Sequence, residues 1–327
     1  MKPKIDLPIC EPIYGTYHYQ GCGSAIISGN PSIRNYYLNV ATSLTCHLDF
    51  RNGYTSPKFG ALRSSFRDNP HIESIVYPMK HLGKDVHRLI RSLLNDGYYV
   101  RFEGIDDYYV KGKTFYQKRH YSHDGMICGY DAFRRNYTIF AYDEKWIYRR
   151  FQTPCSAWEA GRIAEFREGR SGTIYGLKAK PEPVLFQPEL ALKNIQDYLD
   201  PYYAPGTVIN PNIVHGCAAQ VYLAEYINEL FLQHIPYERS DRRIFRQLWE
   251  HKRLMLERIG KIECEYGLSS EHSSAYRQLV ATAERLKSLY TFHMIQRRDD
   301  LLPAMRDRLL TMEADERTIL TQLVQRQ

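Results

Sequence analysis

Three side chains in the first half of the sequence have the types and the order of a site for nucleophilic catalysis by a cysteine. Cys22 lies in the glycine-rich segment 20–25. His123 lies where a polar segment enters an apolar one, and Asp143 ends the next apolar segment. An imidazole can deprotonate a thiol, and a carboxylate can orient that imidazole and stabilise its protonated form. We therefore predict Cys22 as nucleophile, His123 as base and Asp143 as the orienting group.

The elements around these residues determine whether they can meet. The spacing of apolar residues predicts a helix from Pro31, with Cys22 in the loop before it, where a helix N-terminus lowers the pKa of a thiol. Segments 125–130 and 136–142 are typical of neighbouring antiparallel strands. In such a pair the start of one strand lies beside the end of the next, so His123 is expected next to the aspartate.

The periodicity of the whole chain indicates two kinds of structure. In the first half it predicts helices over 31–48, 81–95 and 157–168, the last capped by Ser156, and strands over 99–102, 107–110, 125–130, 136–142 and 145–151. In the last third it predicts helices over 218–232, 241–265, 273–294 and 301–324. The fold class is therefore α+β, an antiparallel sheet domain followed by a helical domain, and not a doubly wound α/β fold.

The use of glycine and proline suggests where the domains divide. Sixteen of the 20 glycines precede residue 177, and only Gly260 and Gly267 lie after Cys217. A proline-dense stretch separates these regions, and proline both stops helices and stiffens connections. We predict a catalytic domain over 1–180, a proline-rich connector over 181–211 and a helical domain over 212–327.

A metal site or a phosphate-binding loop is disfavoured by the spacing of the polar residues. His120, His123 and Asp124 precede a strand, where side chains alternate sides, and no clear third and fourth ligand accompanies them. The segment around Cys22 is too short for a phosphate loop and has no lysine. We expect neither a metal nor a cofactor.

Three segments of the first half resemble one family of natural-product enzymes. Segments 106–109, 119–131 and 137–143 are similar to the N-terminal domain of butirosin biosynthesis protein H and its relatives. Segment 241–252 resembles the helical region that follows that domain. In this family the cysteine stands at the start of the first helix, whereas Cys22 precedes the helix start predicted here.

The resemblance implies a fold, an activity and partners. It implies a papain-like (C39 peptidase-like) fold for residues 1–180. It also implies an acyltransferase that takes an acyl chain from an acyl carrier protein thioester and joins it to a small-molecule amine. By the family motif His123 would be the general base and Asp143 its orienting carboxylate. The family's nucleophile position at the helix start holds no cysteine here, and Cys22, about ten residues earlier, is the candidate that remains.

The charge balance is compatible with such a partner. Lys and Arg number 44 against 37 Asp and Glu, a formal net charge of +7. A mildly basic surface suits an acidic partner, but the basic residues are dispersed and form no nucleic-acid-binding arm. We expect a carrier protein and no nucleic acid. The candidate contacts are Arg134, Arg135, Arg149 and Arg150.

The sequence also bears on where the protein works. Its seven cysteines form no C-x-x-C pair, and the first residues show no apolar leader segment. No apolar run reaches the roughly 18 residues that a membrane helix needs. We expect reduced thiols, a cytoplasmic protein and no membrane partner, while a homodimer formed through the helical domain is compatible with the pattern.

Two other functions fit the same residues. A cysteine hydrolase, either a peptidase or a thioesterase, would use the same triad with water in place of the amine. A non-catalytic binding protein would keep the fold without needing the thiol. A hydrolase differs from a transferase in its acceptor, which is water and not an amine. A binding protein differs from both because replacement of Cys22 would leave its function unchanged.

Overall fold

The computed structural model describes residues 2–53, 55–201, 203 and 209–326. The chain forms two compact units. Unit 1 comprises Met1–Ile33 and Ser65–Pro183, and unit 2 comprises Arg34–Ser64 and Val184–Gln327.

Helices and antiparallel strands both contribute to the structure. The helices of the described residues are α1 (His18–Ala25), α2 (Arg34–Val40), α3 (Phe50–Gly53), α4 (Val86–Asn95), α5 (Cys155–Arg167), α6 (Pro188–Leu199), α7 (Ala219–Phe231), α8 (Ile244–Glu265), α9 (Glu271–Gln296) and α10 (Leu302–Gln325). The strands are β1 (Lys4–Asp6), β2 (Leu44–His47), β3 (Phe59–Ala61), β4 (Ile72–Pro78), β5 (Tyr99–Asp106), β6 (Ser122–Asp131), β7 (Asn136–Tyr142), β8 (Tyr148–Pro154), β9 (Thr173–Ala179) and β10 (Ile213–His215). None of the helices in these residues is long and apolar enough to cross a lipid bilayer.

Unit 1 is built on one antiparallel sheet. Its strands follow the order β4-β9-β5-β6-β7-β8, and β1 pairs with β6 beside that path. Because side chains alternate along a strand, Ile127 and Ile139 pack with α4 and α5 on one face. Met126 and Phe140 pack with α1 on the other face. The candidate site lies on the α1 face.

The periodic strands and helices appear close to their predicted places, while some local predictions were wrong, including the cap at Ser156, which lies inside α5. Segment 107–110 is a turn and not a strand, because the Asp106 carboxylate accepts the backbone N–H groups of Tyr108 and Tyr121. The helix predicted over 31–48 ends at Val40, and its last residues form β2. That strand pairs with β3 and β10, and such long-range pairing outweighs the local helical spacing.

The two units also divide the chain differently from the predicted domains. The border at Pro183 lies close to the predicted end of the first domain at residue 180. Arg34–Ser64, however, belongs to unit 2, where β2 pairs with β10. Part of the predicted connector 181–211 is helix α6, and its residues 202 and 204–208 lie outside the described residues.

Unit 2 combines a small sheet, in the order β10-β2-β3, with helices α6 to α10. The buried Arg258 of α8 stabilises the end of α2, because its guanidinium donates to the carbonyls of Leu38 (2.6 Å), Tyr37 (3.0 Å) and Ala41 (2.9 Å). The last carbonyls of a helix lack backbone partners within it, and the guanidinium supplies them here, although the Tyr37 carbonyl also accepts the N–H of Ala41 (3.0 Å). One buried side chain therefore fixes a helix end that is distant in sequence.

Helix α1 contains two glycines, and close packing explains both. A Cβ on Gly21 would lie 2.7 Å from the ring of Tyr148. A Cβ on Gly23 would lie 2.6 Å from Cβ and 2.9 Å from Cα of Phe66. The glycines let the helix approach its neighbours more closely than any larger residue allows, which offsets their poor helix propensity. The glycine content of this segment therefore predicted a loop, whereas tertiary packing makes it a helix.

We expect Gly23→Ala to lower the free energy of unfolding of unit 1 by about 1–3 kcal/mol, since the added methyl group meets the Phe66 backbone. The matched control is Gly29→Ala, whose Cβ would lie 3.7 Å from Ala179 Cβ, an ordinary contact. That variant is expected to stay within about 0.5 kcal/mol of wild type. Urea unfolding followed by tryptophan fluorescence measures both, and equal stability of the two variants would contradict the packing argument.

Candidate functional site

Cys22 lies inside helix α1 and is fully buried. Its Sγ is 3.5 Å from the hydroxyl of Tyr148. Burial raises the pKa of the Cys22 thiol, and the guanidinium of Arg101 opposes that shift only in part. The prediction of a loop ahead of the first helix was wrong. Because Cys22 follows the first turn of α1, the helix N-terminus adds little to its acidity.

His123 is held by a buried carboxylate at the start of β6. Its Nδ1 lies 2.8 Å from Oδ2 of Asp107, which comes from the turn after β5. The other oxygen of Asp107 lies 3.2 Å from Nζ of Lys113, and both of these side chains are fully buried. If Nδ1 carries the hydrogen and donates it to the carboxylate, Nε2 keeps a lone pair, as a general base requires.

The charge state of His123 follows from this environment. Burial lowers the pKa of His123 below its usual 6.5, and the nearby Lys113 ammonium lowers it further, while Asp107 acts in the opposite direction. Lys113 also donates to the backbone carbonyl of Asp124 (2.6 Å), which fixes the ammonium in place. The imidazole is therefore neutral at pH 7 and can accept a proton.

Asp143 does not contact His123 and was wrongly predicted as its partner. Its carboxylate accepts the backbone N–H groups of Lys145 (2.8 Å) and Ile147 (2.9 Å), and it pairs with Arg149. Burial alone would raise the pKa of Asp143, but these hydrogen bonds and the guanidinium lower it overall. Asp143 therefore closes the turn between β7 and β8.

The pairing of the strands explains why His123 contacts Asp107 and not Asp143. The register of β6 and β7 would place Asp143 opposite His123, but the pairing stops at Met126 and Phe140. Beyond that point Lys113 forms a backbone bridge with Asp143, and the hydroxyl of Thr114 donates to the Asp143 carbonyl (3.0 Å). An inserted segment thus replaces the expected strand pairing.

His18 links the two parts of the site. Its ring packs edge-to-face on His123, with centroids 4.7 Å apart, and on Tyr148, with centroids 5.3 Å apart. The backbone N–H of Tyr142 donates to Nε2 of His18 (3.4 Å). A chain of contacts therefore runs from Cys22 through Tyr148 and His18 to His123. Sequence analysis missed His18, although it precedes Cys22 by four residues and so shares its helix face.

Arg101 supplies a positive charge that lowers the pKa of Cys22 more than Lys113 does. Its guanidinium is 1% exposed and lies 2.5 Å from Glu103 and 2.8 Å from Asp124. It also lies over the rings of Phe66 and Tyr175. The group is thus held rigidly in a dry environment, where it favours a negative charge on Cys22 more than it would in water.

Tyr148 covers the thiol, so its ring controls the access of reagents to Cys22. We expect Tyr148→Ala to raise the rate of alkylation of Cys22 by iodoacetamide at least about tenfold, because the thiolate must be both formed and reached. The matched control Tyr148→Phe keeps the ring and is expected to leave Cys22 protected. Mass spectrometry of peptides measures both, with the exposed Cys264 as an internal reference. Equal rates at Cys22 in wild type and Tyr148→Ala would contradict this role.

Comparison with known proteins adds no family to this description. No model of a protein family matches the sequence, and no curated protein matches it either. The chemistry of the site is therefore inferred from Cys22, His18, His123 and Asp107 and from their contacts.

Proposed function

We propose that unit 1 is an acyltransferase with a papain-like (C39 peptidase-like) fold. It takes an acyl chain from the thioester of an acyl carrier protein and forms an amide with a small-molecule amine. One observation carries this proposal. A neutral histidine, held by the buried Asp107 and Lys113 pair, shares a chain of contacts with a cysteine. The resemblance of segments 106–109, 119–131 and 137–143 to such transferases supports it.

The proposed reaction has two balanced steps. In the first, the proton of Cys22 passes to Nε2 of His123, Sγ bonds the thioester carbonyl carbon, and the bond from that carbon to the pantetheine sulfur breaks. The leaving thiolate takes the proton from His123. In the second, the amine attacks the acyl group and gives its proton to His123, the bond from the acyl carbon to Sγ breaks, and the Cys22 thiolate takes that proton back from His123.

Each neighbour has a defined part in this scheme. Asp107, and not Asp143, stabilises His123 when it carries the proton. Lys113 pairs with Asp107, so that the fully buried carboxylate has a countercharge. Arg101 favours the Cys22 thiolate once it forms.

The burial of the thiol favours an amine over water as the acceptor. Cys22 is fully buried, so a thioester reaches Sγ only after the Tyr148 side chain moves aside. A dry site protects an acyl intermediate from hydrolysis. This distinction favours a transferase over a peptidase or thioesterase on the same residues.

The four arginines predicted to contact a carrier protein lie in two places. Arg149 and Arg150 are on the outer strand β8 next to Tyr148, where they pair with Asp143 and Asp6. Arg134 and Arg135 follow β6, at the opposite end of the sheet. A carrier protein that delivers its thioester past Tyr148 would therefore meet the first pair.

A second candidate function is non-catalytic binding. The raised pKa of the fully buried Cys22 favours it, because a reactive cysteine is more often accessible and acidic. In that case the fold would hold the carrier protein or the amine without a covalent intermediate.

Intact-protein mass after incubation with acyl carrier proteins loaded with several acyl chains distinguishes these functions. The acyltransferase predicts an acyl-sized mass gain in wild type and no gain in Cys22→Ala. The matched control is Cys128→Ala, which removes another fully buried thiol from the same core cluster and should keep the gain. A gain in Cys22→Ala would place the nucleophile elsewhere. No gain in any folded variant, together with binding of the carrier protein, would support the binding function.

A further inference from the structure

A pocket of about 530 Å³ opens at the other end of the sheet of unit 1. It lies where β6 ends, β7 begins and α5 starts, and α4 forms its wall. Tyr130, near the end of β6, lines the pocket, whereas His123 lies near the start of the same strand. At the usual rise of a strand, these two residues are roughly 25 Å apart. The pocket also lies on the face covered by α4 and α5, away from α1. It is therefore separate from the Cys22 site.

Three arginines converge on this pocket. Arg91 comes from α4, and Arg134 and Arg135 come from the turn between β6 and β7. Within the part of the chain that the structure describes, none of the three side chains has an ion-pair partner. The one acidic residue of the lining, Glu159, is already paired with Arg162 at 2.6 Å. The pocket therefore has an excess of three positive charges.

The neutral groups of the lining do not reduce this excess. His87 Nδ1 lies 2.6 Å from the hydroxyl of Tyr137. Burial lowers the pKa of His87, so the imidazole is uncharged at pH 7 and adds hydrogen-bonding capacity without charge. The positive end of α5, which begins at Cys155 at the rim, adds to the favourable potential for an anion. An anionic ligand would meet both charged and neutral donors.

The size of the pocket and its charge indicate the kind of anion. Guanidinium groups bind phosphate and carboxylate through paired hydrogen bonds. An excess of three positive charges is matched better by a phosphate dianion than by a single carboxylate. A volume of 530 Å³ lies in the range of small-molecule sites, so a phosphate group leaves room for an organic portion beside Tyr130.

We infer that this pocket binds a phosphomonoester, with Arg91, Arg134 and Arg135 holding the phosphate. The site is independent of the proposed acyl transfer, because it shares no residue with Cys22, His123 or their neighbours. It provides unit 1 with a place for a second, phosphorylated ligand.

Calorimetric titration of the full chain tests this inference with three probes: inorganic phosphate, glucose 6-phosphate and glucuronate. Both phosphates are expected to bind, glucose 6-phosphate more tightly, and glucuronate at least about tenfold more weakly than glucose 6-phosphate. Binding of the phosphates should weaken as salt is raised, because the contacts are ionic and the arginines are partly exposed.

Two variants and a matched control make the test specific. Arg91→Gln and Arg134→Gln are each expected to weaken phosphate binding about tenfold or more, as the loss of a charged hydrogen bond does. Arg88→Gln removes the same charge from the same helix, but Arg88 pairs with Asp85 and does not line the pocket. It should bind phosphate as wild type does.

Three results would overturn the inference. They are no binding of either phosphate up to about 10 mM, equal binding of glucuronate, and equal weakening in Arg88→Gln and Arg91→Gln. Because Arg134 is exposed, its replacement leaves the fold intact and keeps the test valid even if Arg91→Gln is unstable.

Discussion

His123→Ala is expected to lower the rate of acyl transfer by about 10²- to 10⁴-fold, the usual contribution of a general base. The variant removes the group that takes the proton from both Cys22 and the amine in the proposed reaction. In wild type kcat/KM should rise with pH through the pKa of His123, which lies below 6.5 because of burial and Lys113. His123→Ala should lose that rise, whereas a purely structural histidine would leave the profile unchanged.

Two aspartate variants distinguish the partner of His123. Asp107→Asn removes the carboxylate that opposes the lowering of the His123 pKa, so the rise of kcat/KM should move to lower pH and its plateau should fall. Asp143→Asn keeps an oxygen that can accept the N–H groups of Lys145 and Ile147. It should therefore stay within a few-fold of wild type. A profile that moves in Asp143→Asn but not in Asp107→Asn would contradict this assignment.

Glu316→Ala is expected to lower the free energy of unfolding of unit 2 by about 3–5 kcal/mol. Glu316 and Lys252 form an ion pair in which both side chains are fully buried. The carboxylate also accepts hydrogen bonds from Tyr198 (2.9 Å), Gln220 (2.6 Å) and Tyr276. Removing it leaves the Lys252 ammonium buried without a countercharge and three donors without their acceptor, which is the costly case for buried charges.

Acidification should weaken the same pair. Burial alone would raise the pKa of Glu316, but Lys252 and the hydrogen bonds lower it to about 2. Since this folded value lies below the ordinary 4.5, its contribution to stability is complete above pH 4.5 and is lost as the pH falls toward 2.

The matched control is Glu257→Ala, which breaks the partly exposed pair with Arg34 in the same unit. A pair of this kind contributes about 1 kcal/mol or less. The double variant Lys252→Met with Glu316→Leu should recover the part of the stability that Glu316→Ala loses through the unpaired charge, while Tyr198, Gln220 and Tyr276 still lack this acceptor. Urea unfolding curves measure all three. Similar losses in Glu316→Ala and Glu257→Ala would contradict the importance of the buried pair.

The periodicity of the apolar residues predicted the strands and helices that bury one regular apolar face. Strands β5 to β8 and helices α7 to α10 lie within a few residues of their predicted bounds. Helix α1 could not be predicted in this way, because its residues are glycine-rich and its helical state depends on contacts with Phe66 and Tyr148. The same holds for β2, which is extended only through its partners β3 and β10.

Residue type and order along the chain predicted only some members of the candidate site. Cys22 and His123 were predicted by type and order, and a chain of contacts through Tyr148 and His18 connects them in the structure. Asp107 was not, because its contact with His123 depends on the turn that Asp106 stabilises after β5. Turn geometry and the inserted segment around Lys113 have no periodic pattern that a sequence could display.

The division of the chain also bears on the order of events during synthesis. Arg34–Ser64 leaves the ribosome early, but Arg258, which holds the end of α2, is made 194 residues after Ser64. At about 5–20 residues per second, that delay is roughly 10–40 s. The second segment of unit 1, Ser65–Pro183, is made within this interval, and its first segment, Met1–Ile33, is made before it. The nascent chain therefore carries this incomplete part of unit 2 after all of unit 1 has been made, and the synthesis of α8 supplies the side chain that holds the end of α2.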